Sequence, residues 1–122
     1  MKRDNDLSRA ILIFVQDHCP PQGVLRESIV IEGYDATTVI AHAELLIEDD
    51  YIDGGVTKFI SNEPHAVHII KLTNRGHDAI AATQNDETWK TVKKTALEKG
   101  VSLTFELAVN LAKRLAASHL GM

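Results

Sequence analysis

Residues 35–48 carry a helical apolar stripe, and two β-rich runs follow almost at once. Val39, Ile40, Ala43, Leu46 and Ile47 fall within about 100° of a wheel that turns ~100° per residue. Asp35 stands just before the stripe, where its carboxylate can accept from the free amides of a first helical turn. Tyr51-Ile52 and then Gly54-Gly55 mark the helix exit and a turn. Val56 to Ser61 and Ala66 to Leu72 are β-branched runs separated by Asn62-Glu63-Pro64-His65, which predicts a hairpin. Strict alternation assigns His68, Ile70 and Leu72 to one face of the second strand, and Val67, Ile69 and Lys71 to the other. A helix that runs straight into a hairpin is the core of a winged helix-turn-helix, in which that helix often enters the major groove of DNA.

The remaining segments build around this pair. Leu7, Ala10, Ile11, Phe14 and Val15 predict a first helix from about Asp6 to His18, stopped by Cys19-Pro20-Pro21. Ser28 to Glu32 is short and β-branched and reads as a small strand ended by Gly33. Thr73 is placed to cap a helix reaching about Thr83. Asp86 can cap another, with Trp89, Val92, Ala96 and Leu97 on its apolar side and Gly100 at its end. Ser102 to His119 completes the chain as a helix with Leu103, Leu107, Leu111 and Leu115 at every fourth position. The expected fold class is α+β: a winged-helix-like core (helix, short strand, helix, β-hairpin) with additional C-terminal helices. We expect one domain, 1–122, of which residues 86–119 are the helical extension.

Four separated stretches carry a family resemblance: the opening MKRDNDL, EGYDATTVIAHAELLIEDDYI, KLTNRGHDAI and DETWKTVKK. Together they resemble a family of short bacterial and prophage proteins known as domain of unknown function 2513. Ala43 stands where that family usually has Leu, and Ala79-Ile80 where it has an aromatic or Leu pair. Both exchanges keep the position apolar. The resemblance implies a winged-helix-like fold and a bacterial or phage origin, and it carries over no catalytic residue.

At 122 residues and 44% hydrophobic, the chain is long enough to bury a core without staples. Its one cysteine excludes an intramolecular disulfide. The N-terminus is charged where a signal peptide would be apolar, and no apolar run approaches the ~18 residues of a membrane span. We therefore expect a soluble cytoplasmic protein with no membrane partner.

Charge by segment says more than the net charge of −4. Lys+Arg against Asp+Glu runs 4 to 5 in residues 1–34, 0 to 6 in 35–55, 3 to 2 in 56–83 and 6 to 4 in 84–122. The helix that would read DNA thus lies in the most acidic block. Duplex binding depends on Lys and Arg that neutralise phosphates, and base edges are read chiefly by Arg, Lys, Asn and Gln. The basic side chains lie elsewhere, and Lys58, Lys71, Arg75, Lys90 and Lys94 are the candidate phosphate contacts. Lys90 and Lys94 also share a face with Glu98, the ordinary pattern of a solvated helix. Leu45 points almost opposite the buried stripe and is the candidate protein contact.

No constellation of reactive side chains emerges. His65 and His68 have H-x-x-H spacing, which on a strand sends them to opposite faces. His42 and His77 are expected as buried, hydrogen-bonded imidazoles, with no carboxylate or thiol at ligand spacing. Phosphate-binding Gly loops, a G-x-S-x-G elbow and H-E-x-x-H are absent from the sequence. The expectation is a non-enzymatic protein with no catalytic, cofactor-binding or metal residues and no cofactor. Its first reading is a DNA-associated regulator that contacts duplex DNA. The alternative is a protein–protein interaction module, through a partner or self-association, on a winged-helix scaffold that does not bind DNA.

Overall fold

The computed structural model describes residues 2–21, 24–25, 27–57, 66–100 and 102–119. These form a mixed α+β fold with the elements α1 (Asn5–His18), α2 (Ala36–Glu48), β1 (Ile52–Thr57), β2 (Ala66–Leu72), α3 (Asn74–Thr83), α4 (Asp86–Lys99) and α5 (Phe105–His119). The chain divides into two compact units, Met1–His77 and Asp78–Met122. No helix among the described residues is long and apolar enough to cross a membrane.

In the first unit α1 packs on α2 and β2, and α2 packs on both strands. Leu7, Ile11, Leu12 and Val15 of α1 meet a core that includes Val39, Ala43, Leu46, Ile52, Ile69 and Leu72, all buried. The helix starts follow local chemistry. Asp4 Oδ1 accepts from the Leu7 N–H, and Asp35 Oδ1 accepts from the Thr38 N–H at 2.8 Å. Both satisfy amides that have no partner within the helix. α2 ends in a left-handed turn: Asp50 has φ +65°, its N–H reaches Ile47 O, and the Tyr51 N–H reaches Leu46 O.

Two expectations about strands are corrected here. Gly54-Gly55 is not a turn but lies inside β1. A Cβ on Gly54 would stand 2.1 Å from the His68 carbonyl oxygen, so glycine is what lets the two strands close at that point. The ladder also jumps there: Asp53 pairs with Lys71 and Gly54 with Ile69, which leaves Ile70 as an extra residue on β2. The bulge breaks the alternation expected for β2. Ile69 and Leu72 are both buried, while Ile70 and Lys71 are both exposed. Of the run expected from Val56 to Ser61, positions 58–61 lie outside the described residues, as does the turn Asn62-Glu63-Pro64-His65.

The small strand expected at Ser28 to Glu32 does not form. Its composition suits a strand, but a strand needs a ladder of partners. The only bond from this region to β2 is Leu25 N–H to Ile69 O at 2.9 Å, among the described residues.

The second unit is organised by α4 and α5, which pack on each other. Trp89, Val92, Ala108 and Ala112 are its buried centre, with Phe105, Leu111 and Leu115 against it. The Trp89 and Phe105 rings meet edge to face, centroids 6.4 Å apart. Asn85, not Asp86, caps α4 by accepting from the Thr88 N–H, and Gly100 closes it with φ +64°. α5 begins at Phe105 rather than Ser102, because the Thr104 hydroxyl takes the Leu107 N–H. Leu97 and Leu107 are exposed rather than on the apolar sides assigned to them. A row of every fourth residue drifts ~40° per step, so Leu107 rotates off the face that Ala108 and Ala112 bury. Leu97 lies about 100° from the centre of the Trp89–Val92–Ala96 stripe by the same geometry.

Candidate functional site

The first unit is held by a polar network that joins distant segments. His42 is fully buried in the middle of α2. Its Nε2 accepts the Asp4 N–H at 2.9 Å, so Nδ1 carries the proton and donates to the Thr38 carbonyl at 2.9 Å. The Asp4 carboxylate in turn accepts from the Tyr34 hydroxyl at 2.7 Å while its other oxygen caps α1. That hydrogen bond to a carboxylate, helped by burial and by the charges of Asp4 and Asp6, raises the Tyr34 phenol to about 12. The Asp35 carboxyl is lowered by its bonds to the Thr38 hydroxyl and amide. Asp4 and Tyr34 were not singled out by sequence reasoning. Their signal was that both fall in the resembling stretches MKRDNDL and EGYDATTVIAHAELLIEDDYI.

The expectation for His42 is met, whereas His77 is exposed on α3 and not a core histidine. It sits in the first turn of α3, whose next residues Ala79 and Ile80 are the buried ones. His68 is exposed, and its Nε2 lies 2.9 Å from the Thr57 hydroxyl; His65 lies outside the described residues. Among the described residues no group of three or more His, Cys, Asp or Glu side chains could hold a metal ion.

The candidate phosphate contacts divide between the two units, and Arg75 and Lys94 engage neighbouring side chains. Lys58 lies outside the described residues. Lys71 is exposed and stands opposite Asp53 in the ladder, an opposite-charge pair across strands. The Arg75 guanidinium lies over the Tyr51 ring, 4.5 Å from its centroid, and donates to the Tyr51 hydroxyl at 3.2 Å. Lys90 and Lys94 are exposed on α4 in the second unit, and Lys94 pairs with Glu98 at 3.9 Å. An exposed pair of that kind contributes at most ~1 kcal/mol. Leu45 is half-buried on α2.

A groove of about 430 Å³ opens on the same unit. Val39, Ile40 and Ala43 of α2 form one side, Val67, His68 and Ile69 of β2 another, and Leu25, Glu27, Ser28 and Ile29 the third. Sequence reasoning placed Val39, Ile40 and Ala43 in the buried stripe of α2 and gave no sign of the groove. It exists because the 28–31 segment does not pair with β2.

Residues 2–102 match the family profile described as "Hypothetical protein (DUF2513)". The chain belongs to the DUF2513 family. The match takes in the whole Asp4–Tyr34–His42 network and the groove, and it ends before α5. The DUF2513 chain is also similar to an uncharacterized protein of Haemophilus influenzae, 28% identical over 120 residues that cover 98% of this chain and 99% of the relative. No solved structure matches it.

Proposed function

We propose that the chain is a non-enzymatic protein-interaction module built on a winged-helix-like scaffold. The observation that carries this reading is the groove beside α2, whose Val39, Ile40 and Ala43 side comes from the one block of sequence that holds no basic residue. α2 occupies the place of a groove-reading helix, directly before the hairpin, yet it offers DNA no cation. The Arg75 guanidinium lies against the Tyr51 ring, and Lys71 stands opposite Asp53 in the ladder. What the first unit presents instead is a concave site of mixed lining, the aliphatic residues of α2 and β2 beside Glu27, Ser28 and His68.

Fluorescence anisotropy of a labelled mixed-sequence duplex tests this reading against its rival. Genuine DNA binders hold non-specific duplex with Kd ~10⁻⁴ to 10⁻⁶ M at physiological salt and more tightly as salt falls. The module reading expects no salt-sensitive binding at either condition. Binding that strengthens at low salt, and weakens when Lys90 and Lys94 are both changed to Glu, would overturn it in favour of a DNA-associated regulator.

A further inference from the structure

His42 is buried in the middle of α2, and both of its ring nitrogens are engaged. Nδ1–H donates to the Thr38 carbonyl, so Nε2 keeps a lone pair, and that lone pair takes the Asp4 N–H. The partner at Nε2 is a backbone amide, which unlike a hydroxyl cannot turn round to become an acceptor. A second proton on the ring would set two N–H donors against each other, away from water.

Asp4 also holds its own segment in place. Lys2 and Arg3 before it are exposed. Its carboxylate caps α1 at Leu7 and receives the Tyr34 hydroxyl, and Tyr34 closes a turn by donating its N–H to Ile31 O. Charged groups on the elements packed here give the ring no other acceptor. The two Asp4 oxygens go to Leu7 and Tyr34, and Asp6 in the first turn of α1 acts on Tyr34. Arg9 of α1 and Glu44 of α2 are half-buried, while Asp53 of β1 and His68 and Lys71 of β2 are exposed.

We propose that the seat of Asp4 on α2 is proton-gated: His42 either keeps the Asp4 N–H or takes a second proton, so acid releases residues 2–4 and the cap of α1. Tyr34 loses its acceptor in the same step and is released with them. The gate acts on the hold between segments, and it is independent of what the groove binds. Its sign follows from linkage. The released state binds one proton more than the seated state, so the seated state weakens as the pH falls.

The test is NMR of the 15N-labelled full chain between pH 8 and pH 5. Long-range 1H–15N correlations at pH 8 should show His42 protonated at Nδ1 alone. A released imidazole titrates at about pH 6.5, so protection of the Asp4 amide from exchange should fall about tenfold per pH unit below that. Protection at Val92 and Ala112 should stay constant. His42→Gln offers Asp4 a carbonyl that takes no proton, and there the slope should vanish although His18, His68 and His77 still titrate. Asp4→Asn keeps the amide and removes the carboxylate, and there the slope should persist. An Nε2–H tautomer at pH 8, flat Asp4 protection in the wild type, or an unchanged slope in His42→Gln would overturn the gate. Loss of the slope in Asp4→Asn would assign it to the carboxylate and overturn it too. If His42→Gln does not fold, the wild-type tautomer and the Asp4→Asn slope decide alone.

Discussion

The two units of this chain are stabilised in different ways. The second is a helical pair whose contacts lie close in sequence: Trp89 and Val92 meet Ala108 and Ala112 across the short link between α4 and α5. The first is tied by polar bonds across long stretches of chain, Asp4 to His42, Tyr34 to Asp4, Leu25 to Ile69 and the Cys19 thiol to the Ile70 carbonyl. Apolar packing supports both, and the first unit adds polar bonds between segments far apart in sequence. The difference teaches where each unit tolerates change. A packed helical pair accepts any apolar residue of the right volume. A buried imidazole that must accept from one amide and donate to one carbonyl accepts almost no substitute.

The largest effect is expected in the second unit. Trp89→Ala removes its central side chain and should cost about 3–5 kcal/mol, read by native-state hydrogen exchange as lost protection in α4 and α5. Equal loss in α1 and α2 would break the comparison, because it would make the two units one cooperative body.

His42→Ala strikes the first unit. It opens a cavity and leaves the Asp4 N–H without its acceptor, for about 3 kcal/mol in denaturant titration. The comparison sharpens if His42→Leu, which fills the volume without the bonds, recovers little. Full recovery would show that packing rules this unit too.

Tyr34→Phe is expected to be the mildest, about 1 kcal/mol at neutral pH, since only the hydroxyl is lost. Its signature is in the pH dependence. The phenol is raised from 10.0 to about 12, so the stability it contributes is complete below pH 10 and is lost as the pH climbs through about 12. The wild-type chain should lose stability across that window by more than Tyr34→Phe does in thermal melts at each pH. Parallel curves would remove Tyr34 from the network.

This contrast also explains what could be read in the sequence. Helix positions were legible because the cap and the apolar spacing are local: Asp35 caps α2, Thr73 accepts from the Gly76 N–H at the start of α3, and Gly100 closes α4. Where local signals competed, the nearer one misled. Asn85 took the cap from Asp86, and the last helix, expected from Ser102, starts only after Thr104 caps it. The Ser28 to Glu32 segment had the composition of a strand and lacked what composition cannot supply, a partner edge. The double glycine looked like a turn because nothing local announces that the His68 carbonyl oxygen will occupy the space of a Cβ at Gly54. For the candidate site the acidity of α2 was plain, but the groove depends on how three separate segments fail to close on one another. The Asp4–Tyr34–His42 network was present as motifs without any indication that they touch.

The bulge on β2 has a consequence for how this hairpin can vary in length. Without Ile70, Lys71 would follow Ile69 in strict alternation, and Leu72 would still fall on the buried face with its present partner Ile52. Ile70 is thus a spare residue that the ladder does not count. Ile70 is 45% exposed, and its carbonyl receives the Cys19 thiol. A relative that lacks one residue between Ile69 and Leu72 would keep both on the buried face.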